Sequence, residues 1–292
     1  MPESFEKPTG DAVRSEGDDS AQAAPLYFSL RTLLLVVLIV GIVLGGFWNW
    51  IVPAARRREQ AQECVNNLKQ IGLAIQMYHD TFQKLPEATV CDAAGRPLHS
   101  WRIFVVPYMF SSPLFSMYRQ SEPWNGPNNQ KLAFGKPVRW TAKGGASEFS
   151  PLTPIYSFRC PCLHEEDSSK CITNYLAVTG AGTAFPDDQR VRMKDITDGT
   201  QNTIIVVETV ADDINCLEPR DLRIDKMSFK INDNSKPSIS SRHPDGPHVL
   251  FADCGVYRLN PEIPPVMLKA LLTIGGGEAI DRDRLIAEGW LR

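Results

Sequence analysis

Three sets of residues in this chain have the types and spacing that chemistry requires. Cys160-Pro161-Cys162-Leu163-His164, with Cys171 shortly after, gathers four donors that zinc accepts into one short stretch. Its single-residue spacer is tighter than the two-residue spacer usual in structural zinc sites, and in an oxidising compartment the same thiols form disulfides. Cys64, Cys91, Cys160, Cys162, Cys171, Cys216 and Cys254 make seven cysteines, so at least one stays free or pairs between chains. Asp195, Asp198 and Asn202 around Gly199 form an oxygen-rich turn suited to calcium, or else a plain turn leading into a strand. Trp101, Trp124 and Trp140, with Asn125, Asn128 and Asn129, offer aromatic faces beside amides; they suit a sugar or glycan, or else they pack the core. Glu208 lies inside an apolar strand-like run, where it either faces solvent or serves as a buried ligand.

Catalytic signatures are thin. There is no Gly-rich phosphate loop, no Gly-x-Ser-x-Gly elbow and no His-Glu-x-x-His. His79, His99, His164, His243 and His248 lack a companion pattern that names a nucleophile and its base. A non-enzymatic protein is the expectation, with no cofactor required and calcium or zinc as the ions that would fit. The net charge of -3 and scattered Lys and Arg leave no basic stripe for phosphates, which argues against nucleic-acid binding.

The elements that must position these residues begin with an uncharged apolar run from Thr32 to Val52, followed at once by Arg56, Arg57 and Arg58. At ~1.5 Å per residue it spans roughly the 30 Å hydrocarbon core of a bilayer, and it has no polar face. Before it, residues 1–25 carry Glu3, Glu6, Asp11, Glu16, Asp18 and Asp19 among Gly, Ser, Pro and Ala, a disordered acidic tail rather than the positive start of a secretory signal. The anchor is then residues 26–52 and the remaining domain 53–292.

After the anchor, Cys64, Leu68, Ile71, Ile75 and Tyr78 recur at helical spacing, which predicts an amphipathic helix, with a kink at Pro53 and an end before Pro86. Ser100 caps a short helix from Trp101 to Tyr108, and Asn128 caps another through Phe134. Gly135 to Pro154 reads as irregular surface. Strands are predicted at Ile155–Arg159, Ile172–Val178, Thr203–Thr209, His248–Ala252 and Val256–Leu259, the last two as a hairpin around Asp253-Cys254-Gly255. Val266–Thr273 and Asp281–Glu288 read as helices.

The block Cys64 to Asp80, then Ser100-Trp101-Arg102, Pro107-Tyr108, Glu122 to Asn129, Arg159-Cys160-Pro161, Thr173-Asn174-Tyr175, Asp195 to Thr203 and His243 with Asp253 stand in one order. Together they resemble a large bacterial family of prepilin-like proteins of unknown function, whose marks are a prepilin-type N-terminus and a C-terminal His-x-nine-Asp-Gly signature. The resemblance implies an α+β, pilin-like fold: a long N-terminal helix, transmembrane then amphipathic, packed on a mainly antiparallel sheet with inserted short helices and loops. It implies a single-pass, pseudopilin-like protein of the cell envelope whose partners are the lipid bilayer and other envelope or pilin-like proteins. Members are also labelled as solute-binding, which gives the alternative of an anchored solute- or glycan-binding protein.

Two departures stand out. Tyr27 occupies the place of the Gly before the prepilin cleavage point and Thr32 that of the assembly Glu, so an uncleaved anchor is expected; a mature N-terminus at Phe28 would overturn this. Cys254 replaces the Gly of the C-terminal signature, and Gly255 follows one position later. His243 and Asp253 either meet across the hairpin in a buried hydrogen bond or serve a loop and a turn separately. Arg56, Arg57 and Arg58 outnumber Arg14 and Arg31, which by the positive-inside rule would hold the domain in the cytoplasm. Pilin-like relatives carry arginines there and still export the domain, so an extracytoplasmic domain is expected.

Overall fold

Helical geometry starts at Leu30, where the Ser29 hydroxyl accepts the backbone N–H of Thr32 at 3.2 Å and caps α1 (Leu30–Gly46). The computed structural model describes residues 29–109, 114–133, 138–142, 145–149, 156–162, 171–211, 213–278 and 280–292, so the acidic tail and Tyr27 lie outside the described residues. The chain divides into two units, Met1–Val52 and Pro53–Arg292.

In the first unit no residue of α1 is buried, and Leu33, Leu34, Leu35, Val37, Leu38 and Ile39 all present their side chains outward. A helix this apolar on every side is long enough to cross a membrane. Phe47–Ile51 widens into a π-turn whose last bond runs from Val52 N–H to Phe47 O. The next residue, Pro53, has no N–H and crowds the carbonyl one turn back, so a local change in pitch is expected there.

From Pro53 onward α2 (Val52–Phe82) belongs to the second unit, where it buries Cys64, Leu68, Ile71, Gly72, Ala74 and Ile75 along one face, as the helical spacing predicts. It ends at Gln83, which adopts a left-handed φ of 57°, ahead of Pro86. There follow β1 (Thr89–Cys91) and β2 (Pro97–Ser100), an antiparallel pair, then α3 (Trp101–Met109), α4 (Leu114–Met117) and α5 (Asn129–Ala133). Residues 135–154, expected to be irregular, instead contain an antiparallel hairpin of β3 (Val138–Ala142) and β4 (Gly145–Phe149). The Gly and Pro of the flanks obscured a run with alternating strand formers.

The central sheet has five strands in the order β7-β5-β6-β8-β9, built from β5 (Tyr175–Thr179), β6 (Ile204–Glu208), β7 (Leu222–Arg223), β8 (His248–Phe251) and β9 (Val256–Arg258). All its pairings are antiparallel except β5 with β7. The predicted strand at Ile155–Arg159 is instead a 3-10 turn at Tyr156–Phe158; the Phe158 carbonyl accepts the Asn174 N–H and the Thr173 hydroxyl, and the Arg159 carbonyl accepts the Asn67 amide of α2, so no strand ladder continues along it. Two helices close the chain, α6 (Pro265–Leu271) and α7 (Arg282–Ala287), the latter capped by Asp281.

Every residue of β5, β6 and β8 is buried, since both sheet faces are covered. Tyr175, Ala177, Val206 and Leu250 pack with the buried face of α2 and with α3. Leu176, Val178, Val207, Val249 and Phe251 pack against Leu268, Leu271 and Leu285 from α6 and α7. At Gly72 a Cβ would stand 2.8 Å from a Leu250 methyl, so the missing side chain is what lets α2 approach β8 this closely. The architecture is α+β, a long helix on an antiparallel-rich sheet.

Candidate functional site

The most unusual chemistry in the molecule gathers where α2 crosses the sheet. Cys64 projects from the buried face of α2. Opposite it the segment 157–161 is held by Asn67 Nδ2 donating to Arg159 O (3.2 Å), Gln60 Nε2 donating to Pro161 O (3.2 Å) and Ser157 Oγ donating to Gln70 Oε1 (3.1 Å). From the other side, Asn174 accepts the N–H of Cys160 at 2.9 Å and donates to Ala211 O at 2.7 Å. These bonds bring Cys160 Sγ to 3.0 Å from Cys64 Sγ, across 96 residues of sequence.

His243, in the loop before β8, points Nε2 at the same place: 3.1 Å from Cys64 Sγ, 3.6 Å from Cys160 Sγ and 3.3 Å from Cys162 Sγ. Cys162 also lies 3.2 Å from the other ring nitrogen and is only half-buried. Glu208, at the end of β6, is 1% exposed, which places it among the buried candidates rather than on a solvent face. Its oxygens accept Ser241 Oγ–H at 2.9 Å and the His248 N–H at 2.9 Å, and stand 3.5 Å from His243 Nε2 and His248 Nδ1. Tyr175 is fully buried against these thiols, and its hydroxyl makes no well-formed hydrogen bond.

Electrostatics separates the thiols. Contacts with Cys162 and Cys64, then burial, push Cys160 up, whereas contacts with Cys160 and Cys64, and then with His243, pull Cys162 down. Burial alone would lower His243, but Cys162 and the Glu208 carboxylate outweigh it and raise the imidazole above its ordinary value. The half-buried thiol of Cys162 thus lies beside an imidazole that favours its proton. Such a set can bind a thiophilic metal ion or undergo thiol–disulfide chemistry.

Other residues singled out from the sequence are placed elsewhere. Cys171 is joined to Cys216 in a disulfide, so it is not available to complete a zinc set with Cys160 and Cys162; His164 lies outside the described residues. Asp195 forms a bidentate pair with Arg192 (2.7 and 2.9 Å), which holds its carboxyl down at about 2. Asp198 accepts the N–H groups of Gly276 and Gly277, and Asn202 accepts that of Arg282, so this turn fastens the C-terminal segment through its oxygens.

Trp101 is fully buried, its indole N–H donating to Asp221 at 3.2 Å, and offers no face to a sugar. Trp124 packs partly against the core, Asn125 is exposed and Asn128 half-buried, while buried Asn129 bonds the backbone at Arg119, Glu122 and Pro123. Trp140 lies in β3. Asp253 pairs with Arg282 at 2.6 Å and caps Gly255 N–H at 2.9 Å, so His243 and Asp253 each have their own partners. The hairpin turn puts Cys254 at φ 69°, the left-handed geometry that explains why a glycine is expected at this position.

Sequence reasoning did not unite Cys64, Glu208 and His243 with Cys160, although each stood out separately. It also missed Arg102, which is fully buried and reaches Asp221 at 2.6 Å, Ser100 Oγ at 2.8 Å and Tyr175 O at 3.1 Å. The signal for that one was the Ser100-Trp101-Arg102 triplet itself.

Fold and site thus describe an α+β protein with a helix-on-sheet body and, before it in the sequence, one helix among the described residues apolar enough to span a bilayer. The chain belongs to the family described as protein of unknown function DUF1559, whose model matches residues 53–227, more than half of its length. Neither curated proteins nor solved structures gave a match. Family and apolar helix together fit a membrane-anchored envelope protein.

Proposed function

We propose that this chain is a pseudopilin-like, single-pass subunit of the cell envelope, with residues 53–292 outside the cytoplasm, that works through contacts with other envelope or pilin-like proteins rather than by catalysis. The observation that carries the reading is the pairing of α1, apolar on every side, with a domain of this family whose first helix lies on an antiparallel sheet. The Cys171–Cys216 disulfide supports an oxidising compartment. Leu73 and Met77, one turn apart on α2 and 57% and 49% exposed, supply an apolar patch on which a neighbouring subunit can pack. The test is protease sensitivity of a C-terminal tag in cells with a permeabilised outer layer. Digestion before lysis agrees with export; protection until lysis removes the envelope reading.

A second reading, solute binding, is favoured by a cleft of about 680 Å³ lined by Thr89, Asp187, Arg190 and Arg223, within the size range of small-molecule sites. Sugars or peptidoglycan fragments that raise the melting temperature of the wild type but not of Arg223→Ala would select it.

A further inference from the structure

Four buried donors from distant parts of the chain, Cys64 Sγ, Cys160 Sγ, a Glu208 carboxylate oxygen and a His243 ring nitrogen, lie within 4.8 Å of one another. Zinc holds thiolate sulfur at about 2.3 Å and imidazole or carboxylate at about 2.0–2.2 Å in a tetrahedron, so ligand atoms around one ion stand at this order of separation. We propose that Cys64, Cys160, Glu208 and His243 form a zinc site that ties α2 to the segment after the 3-10 turn, to the end of β6 and to the loop before β8.

Three features support a metal over a bare cluster. His243 Nε2 has no single partner: the Cys64, Cys162 and Cys160 sulfurs stand at 3.1, 3.3 and 3.6 Å and a Glu208 oxygen at 3.5 Å, a nitrogen aimed at a shared point. Each Glu208 oxygen is fixed by a donor, Ser241 Oγ–H on one and His248 N–H on the other, as outer partners fix a metal-bound carboxylate. A carboxylate buried among thiols also needs compensating positive charge, which a divalent cation supplies more fully than the two neighbouring imidazoles of His243 and His248. The donor set chooses the ion, since thiolate with imidazole selects zinc over calcium or magnesium. Cys162, half-buried beside the imidazole, is more exposed than Cys64 and Cys160.

Binding requires the two thiols to give up protons, which pass to water, and involves no change of oxidation state. A Cys64–Cys160 disulfide, the competing fate of sulfurs 3.0 Å apart, would use neither His243 nor Glu208. The proposal is independent of which compartment holds the domain.

The experiment is zinc content by plasma mass spectrometry of the full-length chain, purified in detergent without chelator, with a peptide map of thiols and disulfides. About one zinc per chain is expected, with Cys64 and Cys160 protected from alkylation until a chelator is added. Background zinc with a Cys64–Cys160 disulfide overturns the proposal, as do free thiols that take up no added zinc. Cobalt in place of zinc should give a thiolate-to-metal charge-transfer band that is lost in Cys160→Ser and unchanged in Cys91→Ser. Should Cys160→Ser fail to fold, Glu208→Gln reads the same site by a tenfold or greater loss of zinc affinity, and Cys162→Ser should keep the ion. Loss of zinc in Cys162→Ser with none in Glu208→Gln overturns this ligand set.

Discussion

Arg102 shows how one residue can organise several segments. Its guanidinium joins Asp221 to the Tyr175 carbonyl and to Ser100, while Asp221 also accepts the Ala177 N–H at 2.8 Å. Burial pushes Asp221 up and Arg102 down, so each charge persists only because the other and its hydrogen bonds are present. Arg102→Met is expected to cost about 3–5 kcal/mol by leaving a buried carboxylate uncompensated, and Arg102→Met/Asp221→Asn distinctly less, read by urea unfolding. His99 gives a pH signature. Its ring bonds the Tyr118 hydroxyl (2.8 Å) and the Gln120 carbonyl (3.1 Å), and burial holds its pKa below the ordinary value of 6.5. As pH falls from about 6.5 the unfolded chain takes up the proton while the native imidazole resists it, so stability is lost with acidification. Wild type should therefore lose more stability than His99→Gln between about pH 7 and pH 5, in parallel denaturation curves.

Among the elements, α2 and β8 are matched by a glycine. Gly72→Val would drive branched methyls into Leu250 and toward the Cys254 backbone, whose Cα is 3.5 Å from where a Cβ on residue 72 would stand, and should destabilise by about 1–3 kcal/mol. Gly72→Ala should cost less, because the gain in helix propensity of about 1 kcal/mol offsets part of the clash; thermal unfolding of both variants checks the order. The long elements were legible in the sequence because lipid and a one-sided core each impose a periodicity. α1 lacks any polar face, α2 repeats Leu68, Ile71 and Ile75, and β6 and β8 are short apolar runs. Shorter elements were not: β1 and β7 hold too few residues for a pattern, and Tyr156–Phe158 has strand-forming types but turns where the Phe158 carbonyl meets Thr173 and Asn174 and the next carbonyl, that of Arg159, meets Asn67 of α2.

At the scale of the whole molecule, Cys171–Cys216 closes a loop of 45 residues between the segment before β5 and the segment before β7. On the chain-entropy account such a loop is worth about 4 kcal/mol, so Cys171→Ser/Cys216→Ser should lower the melting temperature by roughly ten degrees or more, checked by calorimetry. The same covalent link distinguishes this pair from Cys64, Cys160 and Cys162, whose order along the chain gave no hint of which would bond.

The sequence by itself determined the apolar span, the amphipathic helix after it, four of the five central strands, the hairpin at Asp253-Cys254-Gly255 and the family, since each depends on residues close together or in fixed order. Tertiary structure alone decided which distant side chains share a buried site. Cys64 and His243 lie 179 residues apart, and Arg102 and Asp221 lie 119 apart. Such contacts follow from how α2 and the loops settle on the sheet, and no local periodicity encodes that geometry.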